Sequence, residues 1–160
     1  MKTAIIYAST YGSTKKIAQS LHDQIPDSVL FDVKKDAVDL SLFDAVILGS
    51  SIYVGQIDKQ LKTFTTKNKS ELLTKKRGIF FCCAFEENVH DYVSANYLPE
   101  LADGAIIMTM GGEMDISKMS FAHKMITRMV QKSEQGKNRD VRLHPEKISD
   151  FVSQMFSQTE

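Results

Sequence analysis

Short apolar runs alternate with stretches of helical periodicity along most of the chain. The apolar runs predict five strands, and apolar residues spaced three and four positions apart predict helices between them. The predicted strands cover 2–8, 28–32, 45–49, 78–84 and 105–110. The predicted helices cover 14–25, 58–73, 88–101, 117–132 and 145–156.

The alternation of strands and helices predicts an α/β fold. Strands that are apolar on both faces indicate a parallel sheet covered by helices on both sides. Five such strands in a chain of 160 residues fit a three-layer, doubly wound sheet with the strand order 2-1-3-4-5. The length suits a single domain spanning 1–160, in which the segment at about 111–143 is expected to be irregular or helical.

The turn between the first strand and the first helix carries hydroxyl groups around Gly12. The free N–H groups and the positive dipole end of a helix N-terminus attract anions, and hydroxyl donors add to that attraction. The stretch lacks the Gly-Lys-Ser/Thr end of a nucleotide P-loop and the three glycines of a dinucleotide site. It predicts either an uncharged phosphate site or a helix cap. The candidate residues are Ser9, Thr10, Tyr11, Gly12, Ser13 and Thr14.

Two more loops follow the third and fourth predicted strands, and a parallel sheet brings the ends of its strands to one edge, where ligands bind. The loop with Tyr53 offers a flat wall for an aromatic ring, or Tyr53 packs on a neighbouring helix instead. Phe85 in the other loop either adds a second wall or packs in the core. The candidate residues are Ser50, Ser51, Ile52, Tyr53, Val54, Gly55, Ala84, Phe85 and Glu86.

Composition and charge narrow the classes of function. Hydrophobic residues make up 42% of the chain, and 20 basic residues balance 20 acidic ones, which does not favour a nucleic-acid binder. No apolar run approaches the ~18–20 residues of a membrane span, and the N-terminal run lacks the features of a signal peptide. Cys82 and Cys83 are adjacent, which suits neither a metal site nor a disulfide framework, and they are interpreted as core residues. A cytoplasmic location and no bound metal are therefore expected.

Charge is distributed unevenly along the chain. The segment 116–142 holds seven Lys or Arg and two Asp or Glu, so the rest of the chain is acidic. The positive charge of this segment either lies on a solvent-exposed helix without a further role or attracts an anionic substrate or lipid surface.

The predicted helix at 117–132 within that segment has an apolar face. The face either packs on the sheet or lies on a membrane, where it would make a peripheral contact, or forms one wall of a substrate site. Its apolar positions are Met119, Phe121, Ala122, Met125, Ile126, Met129 and Val130.

Together the three loops resemble those of the flavodoxin family. Its phosphate motif T-x-T-G-x-T is matched by Ser9–Thr14, with Tyr11 in place of a threonine. Tyr53 and Gly55 stand where the family usually has an aromatic ring and then a glycine, and Phe85 stands in the loop that often holds a stacking tyrosine. The resemblance spans the chain and implies FMN as a non-covalent cofactor, bound by the candidate residues of the three loops.

A narrower resemblance concerns the stretch GSSIYVGQIDKQLKTF and the segment GGEMDISKMSFAHKMITRMVQK. Both are similar to the menaquinone-dependent protoporphyrinogen oxidases, a flavodoxin-like branch in which G-A-S-I-x-x-G-x is typical. This resemblance implies electron transfer from protoporphyrinogen IX to a quinone, at the inner face of the membrane. The alternative is a flavodoxin that carries electrons to a redox partner protein and has no substrate.

Receiver domains of response regulators share this strand order and need acidic residues after strand one and a lysine after strand five. Here the first strand leads into Ala8-Ser9-Thr10 and the fifth into Met110-Gly111, so that class is excluded. The four histidines are scattered and form no local catalytic pattern. Since a flavin would carry the chemistry itself, no catalytic residue is predicted.

Overall fold

Five parallel strands form one sheet in the order β2-β1-β3-β4-β5, which confirms the predicted fold. The structure is a computed structural model that describes residues 1–113, 116–133 and 141–157. The strands are β1 (Thr3–Ala8), β2 (Ser28–Asp32), β3 (Ala45–Ser51), β4 (Lys76–Cys82) and β5 (Ile106–Thr109). The helices are α1 (Ser13–Gln24), α2 (Lys59–Lys67), α3 (Lys69–Leu72), α4 (Val89–Asn96), α5 (Pro99–Ala102), α6 (Phe121–Lys132) and α7 (Lys147–Phe156).

Helices cover both faces of the sheet, as expected for strands that are apolar on both sides. On one face, Ile17 of α1 and Phe151 of α7 pack on the central strands. On the other face, α2 to α5 supply residues such as Leu61 and Tyr92. Cys82 belongs to the first apolar cluster and Cys83 to the second, which confirms that the adjacent thiols point to opposite faces.

Two predicted helices are each broken in two, and local chemistry explains both breaks. The predicted helix at 58–73 is divided at Asn68, whose side-chain amide donates to the carbonyl of Phe64 at 2.8 Å and so competes with the regular backbone pattern. The predicted helix at 88–101 is divided before Pro99, because Leu98 takes the extended conformation that a following proline favours.

The chain leaves β5 through Gly111, which forms an isolated bridge with Leu143. Gly111 has a φ of 72°, and a Cβ at this position would lie 2.0 Å from the carbonyl oxygen of Arg142. This contact brings the start and the end of the segment at 111–143 together beside the sheet. Its described part holds a 3₁₀ turn at Ile116–Lys118 and then α6, while 114–115 and 134–140 of the predicted irregular segment lie outside the described residues.

The apolar face of α6 does not pack on the sheet. Phe121 is 80% exposed, Met129 is 70% exposed and Met125 is 47% exposed, whereas Thr127 is buried. Among the outcomes that the sequence left open for this helix, ordinary packing on the sheet is therefore wrong for these three residues.

Candidate functional site

The hydroxyl-rich turn lies at the N-terminus of α1, at the carboxyl edge of the sheet. Gly12 is the N-cap residue with a φ of 102°, and no side chain caps the helix. Ser9 instead accepts a hydrogen bond from the backbone N–H of Gly12 at 3.0 Å, which tightens the turn. A Cβ on Gly12 would meet no atom within 4 Å, so the space beside the turn is open. The geometry thus favours an anion site over a plain side-chain cap.

Thr14 links this turn to the loop after β3. Its side chain is fully buried, and its hydroxyl lies 2.6 Å from the hydroxyl of Ser51. Ser13 is also buried, and its hydroxyl donates to Glu113 at 3.5 Å. Two of the predicted hydroxyls therefore hold the loops together.

Lys34 brings a positive charge to a turn whose own side chains are uncharged. Its ammonium group lies 3.3 Å from the hydroxyl of Thr10 and 3.4 Å from the carbonyl oxygen of Ser9. It also pairs with Asp58 at 2.9 Å. Because Lys34 follows β2, which lies beside β1 in the sheet, local sequence patterns do not reveal this contact.

The loop after β3 contains a tight two-residue turn. Tyr53 and Gln56 exchange backbone hydrogen bonds of 2.9 and 3.0 Å. Val54 and Gly55, between them, have φ angles of 51° and 72°, which is the pattern of a type I′ turn. A β-branched residue such as Val54 is strained in this conformation, and such strain persists only where the surroundings fix the backbone.

The side chain of Asn96 in α4 holds that turn in place through hydrogen bonds to its backbone. Its side-chain oxygen accepts from the N–H of Ile57 at 3.0 Å, and its side-chain nitrogen donates to the carbonyls of Gly55 and Tyr92 at 2.8 Å each. Asn96 is 4% exposed, so these bonds are shielded from water. We call these three hydrogen bonds the Asn96 clamp.

An aromatic cluster connects α6 to two of the loops. The ring of Tyr53 stacks on His123 with centroids 4.8 Å apart, and Tyr11 meets Tyr53 edge-on at 5.8 Å. The hydroxyl of Tyr11 accepts from the backbone N–H of Ser120 at 3.1 Å and is also hydrogen-bonded to Nδ1 of His123. Tyr11, the residue that departs from the T-x-T-G-x-T pattern, thus ties the hydroxyl turn to the segment before α6.

The predicted loops converge on a cavity of about 240 Å³. Eight predicted residues line it, namely Ser13, Ser51, Ile52, Tyr53, Val54, Gly55, Ala84 and Phe85. Thr10 and Ser50 line a neighbouring cavity of about 90 Å³, which shares Ser51 and Tyr53 with the first. Met119 and Ile126 also line the larger cavity, which agrees with the alternative that the apolar face at 117–132 forms one wall of a substrate site. Sequence reasoning missed the remaining lining residues, which are Cys82, Cys83, Tyr92, Gly112, Glu113 and Thr127. The Gly111-Gly112 pair after β5 was the available signal, because it ends a strand at the same edge of the sheet.

Three ionisable residues that line the cavity at the ends of β3 and β4 are neutral near neutral pH. Burial raises the pKa of the Cys82 thiol and of the Cys83 thiol to about 12. Burial, together with the neighbouring Tyr11 and Cys82, raises the pKa of Tyr53 to about 12. Glu113, at the rim, pairs with Lys16 at 2.8 Å. The lining of the cavity therefore suits an uncharged aromatic group.

Glu86, a predicted site residue, lies outside the lining of both cavities. Its carboxylate pairs with Lys147 at 2.6 Å and with His144 at 3.2 Å, and Thr109 donates a hydrogen bond to it. Burial raises the pKa of Glu86, but the hydrogen bonds from Lys147 and Thr109 together outweigh burial and hold it below its ordinary value. The structure thus gives Glu86 an ion-pairing role between β5 and the start of α7.

Two kinds of feature are missing from the part of the chain that the structure describes. Residues 1–113, 116–133 and 141–157 contain no group of three or more potential metal-ligating side chains. None of the helices described is long and apolar enough to cross a bilayer.

Comparison with known proteins matches this arrangement to one family. The family model of the flavodoxin domain matches residues 4–140. A flavoprotein from Lactobacillus acidophilus NCFM, solved in complex with FMN, is 26% identical over 68% of this chain and 90% of its own, with a TM-score of 0.52. No curated protein sequence is similar enough to match.

Two other solved structures match over the full length of both chains. The flavodoxin of Fusobacterium nucleatum bound to flavin mononucleotide is 15% identical, with a TM-score of 0.55. A short-chain flavodoxin associated with a non-canonical PDU bacterial microcompartment is 13% identical, with a TM-score of 0.61. At this identity the likeness concerns the fold.

Proposed function

Because this chain belongs to the flavodoxin domain family, we propose that it binds FMN without a covalent bond and transfers electrons through it. One observation carries the proposal: an open hydroxyl turn at a helix N-terminus adjoins a cavity walled by aromatic and apolar side chains. FMN has a phosphate at one end and an aromatic ring system at the other, so the residues present fit both of its ends. When bound, FMN supplies the redox chemistry, since it accepts and releases electrons.

The hydroxyl turn holds the phosphate in this proposal. The free N–H groups at the start of α1 and the hydroxyl of Thr10 serve as neutral donors to the phosphate. Lys34 adds a cation within hydrogen-bonding distance of Thr10. Asp58 pairs with that cation, which keeps the site from becoming strongly basic.

The cavity holds the ring system. Tyr53 and Phe85 supply aromatic walls, and Cys82 and Cys83 add uncharged residues to the lining. The Asn96 clamp sets the position of the backbone at Gly55 on the rim. These residues orient the ring and exclude water, and none of them has to give or take a proton near neutral pH.

The proposed function takes one of two more specific forms, which differ in the electron donor and acceptor. In the first, the protein is a quinone-dependent oxidase, in which each pair of hydrogen atoms removed from protoporphyrinogen IX reduces one quinone to a quinol. The resemblance of residues 49–64 to the oxidase branch favours this form, as does the apolar wall that Met119 and Ile126 add to the cavity. In the second, a flavodoxin acts as an electron carrier for a redox partner protein, a role that the family equally supports. Both forms act in the cytoplasm, and the first acts at the inner face of the membrane.

Titration of apoprotein with FMN and with riboflavin tests the binding proposal. Riboflavin has the same ring and no phosphate, so FMN should bind much more tightly and its fluorescence should be quenched. Thr10→Ala removes one hydroxyl from the turn and should weaken FMN binding by about tenfold to a hundredfold, without affecting riboflavin. Ser70→Ala, at an exposed serine of α3, is the matched control. Equal affinity of the wild type for the two flavins would refute the assignment of the turn.

Anaerobic turnover separates the two finer forms. Flavin-loaded protein is mixed with protoporphyrinogen IX and a menaquinone analogue, and porphyrin fluorescence is followed against apoprotein as the control. Porphyrin formation that depends on both flavin and quinone supports the oxidase. Its absence in a protein that binds FMN leaves the electron carrier as the function.

A further inference from the structure

Three side chains one helical turn apart form an apolar stripe along the outer side of α6. Phe121, Met125 and Met129 occupy positions i, i+4 and i+8, and their exposures are 80%, 47% and 70%. We call these three residues the α6 stripe. Helices of globular proteins normally turn such a stripe toward the core, so a solvent-facing one marks a contact surface.

The opposite side of α6 is anchored to the rest of the protein. Thr127 is buried and lines the larger cavity together with Met119, to whose sulfur it donates a hydrogen bond at 3.3 Å. His123 stacks on Tyr53 and is hydrogen-bonded to Tyr11. These contacts fix the rotation of the helix about its own axis, so the outward position of the stripe follows from side-chain packing.

Positive charge accompanies the stripe. Helix α6 contains no Asp or Glu, and the basic residues on it and just before it are Lys118, Lys124, Arg128 and Lys132. Arg128 and Lys132 are exposed and follow Phe121 by about two and three helical turns, so both lie on the side of the stripe. An apolar stripe with cations at its border is the pattern of a helix that lies in the interface of an anionic membrane.

We propose that α6 docks this protein on an anionic lipid surface, with the α6 stripe in the lipid interface and its cations against the phosphate headgroups. A second copy of the chain fits the same face less well, because a symmetric dimer through α6 would bring two sets of like charges together. Ile126 is 40% exposed and also lines the larger cavity. Docking through α6 therefore brings one wall of that cavity close to the lipid surface.

Vesicle flotation with the purified full chain tests the proposal. The protein, with FMN added, is mixed with vesicles of phosphatidylcholine alone or of phosphatidylcholine with phosphatidylglycerol, at low and at high salt. The protein should float with the anionic vesicles at low salt, bind them more weakly at high salt, and bind the zwitterionic vesicles weakly throughout. If the wild type does not float with anionic vesicles at low salt, the proposal is wrong.

Two pairs of substitutions separate the charge from the apolar stripe. Arg128→Glu with Lys132→Glu should weaken binding to anionic vesicles by about thirtyfold or more, since each cation near such a surface contributes about 1 kcal/mol, which is about a fivefold factor. Phe121→Ser with Met125→Ser should weaken binding at both salt concentrations, because burial of apolar surface is not screened by salt. The matched control is Lys59→Glu with Lys67→Glu, an equal charge reversal at exposed positions of α2. If the control loses as much affinity as the α6 pair, the contact depends on overall charge and the proposal is overturned.

The docking proposal goes beyond the redox function, and its readout does not require bound flavin. FMN titration and circular dichroism of each variant show whether the fold and the cofactor site are intact, so failure of either proposal is recognised separately. Sedimentation equilibrium measures whether the protein forms a dimer through α6, which is the remaining alternative. A dimer that dissociates on Phe121→Ser with Met125→Ser, combined with no vesicle binding, would assign α6 to self-association instead of to lipid.

Discussion

Replacing Asn96 with leucine should destabilise the protein by about 2–4 kcal/mol, because the leucine side chain is similar in size but removes all three bonds of the Asn96 clamp. The N–H of Ile57 would be left buried without an acceptor, which costs about 1–3 kcal/mol. The carbonyl of Gly55 would lose its donor, which adds about 1 kcal/mol. Loss of the hydrogen bond to the carbonyl of Tyr92 contributes least, because that carbonyl lies within helix α4, where backbone N–H groups are available as donors.

Asn96→Asp gives a second, pH-dependent form of the same test. An aspartate can still accept from Ile57, but its second oxygen faces the carbonyls of Gly55 and Tyr92, so the ionised form is disfavoured in the fold. Its folded-state pKa should therefore rise above the unfolded value of about 3.9. The folded state then binds more protons than the unfolded state in the window between the two values. The deficit relative to wild type should accordingly shrink as pH falls through the folded pKa toward about 4.

Urea denaturation followed by circular dichroism measures both effects, with wild type and variant compared at each pH. In Asn96→Leu the turn at 53–56 is no longer held by the Asn96 clamp, so FMN binding would have to order it. An added ordering cost of about 1 kcal/mol corresponds to about fivefold weaker FMN affinity. Unfolding of Asn96→Leu at the same urea concentration as wild type would refute the clamp. A deficit of Asn96→Asp that is independent of pH would show that its carboxylate reaches solvent.

Three further predictions concern the hydroxyl turn and the Glu86 ion pairs. Gly12→Ala should lower the free energy of unfolding by about 1–2 kcal/mol, because Gly12 has a φ of 102°, and it should also weaken FMN binding. Gly104→Ala, at a φ of 70° far from the cavity, should lower stability alone. Equal FMN affinities of the two variants would contradict this prediction. Thr14→Val leaves the hydroxyl of Ser51 without its partner and should lower the free energy of unfolding by about 1 kcal/mol, measured by urea denaturation. Glu86→Gln should be less stable than wild type from pH 7 to about 4.5, and the difference should vanish as pH falls through the lowered pKa of Glu86. Acid unfolding of both proteins measures this difference. A stability difference that persists in acid would rule out the ionised carboxylate as its cause.

The parts of the fold that local pattern determines could be predicted from sequence. Apolar runs predict all five strands, because strands covered on both faces are mostly apolar, as in β1 and β3, while the edge strands β2 and β5 are partly exposed and still carry short apolar runs. The carboxyl edge of a parallel sheet then assembles the loops at Tyr53 and Phe85 beside the hydroxyl turn without knowledge of any contact. Most of the predicted site residues line one of the two cavities for this reason.

The remaining features depend on which side chains meet across the fold. Asn96, Lys34 and His123 each act through a partner that is distant in sequence, and nothing in their neighbours distinguishes them from surface residues. The periodicity of α6 identifies its apolar face but not the direction of that face, which the contacts of Thr127 and Tyr11 decide. The side-chain amide of Asn68 likewise ends a helix that periodicity alone continues.

The burial of the two cysteines also determines how this protein can be labelled. With each thiol pKa at about 12, only about one thiol in 100,000 is ionised at pH 7, and the thiolate is the form that reacts with maleimides and with peroxide. Cys82 and Cys83 should therefore stay unmodified in the native protein while an introduced surface cysteine reacts. A fluorophore can be attached at a single chosen position of α6 without first removing the natural cysteines from the cavity wall.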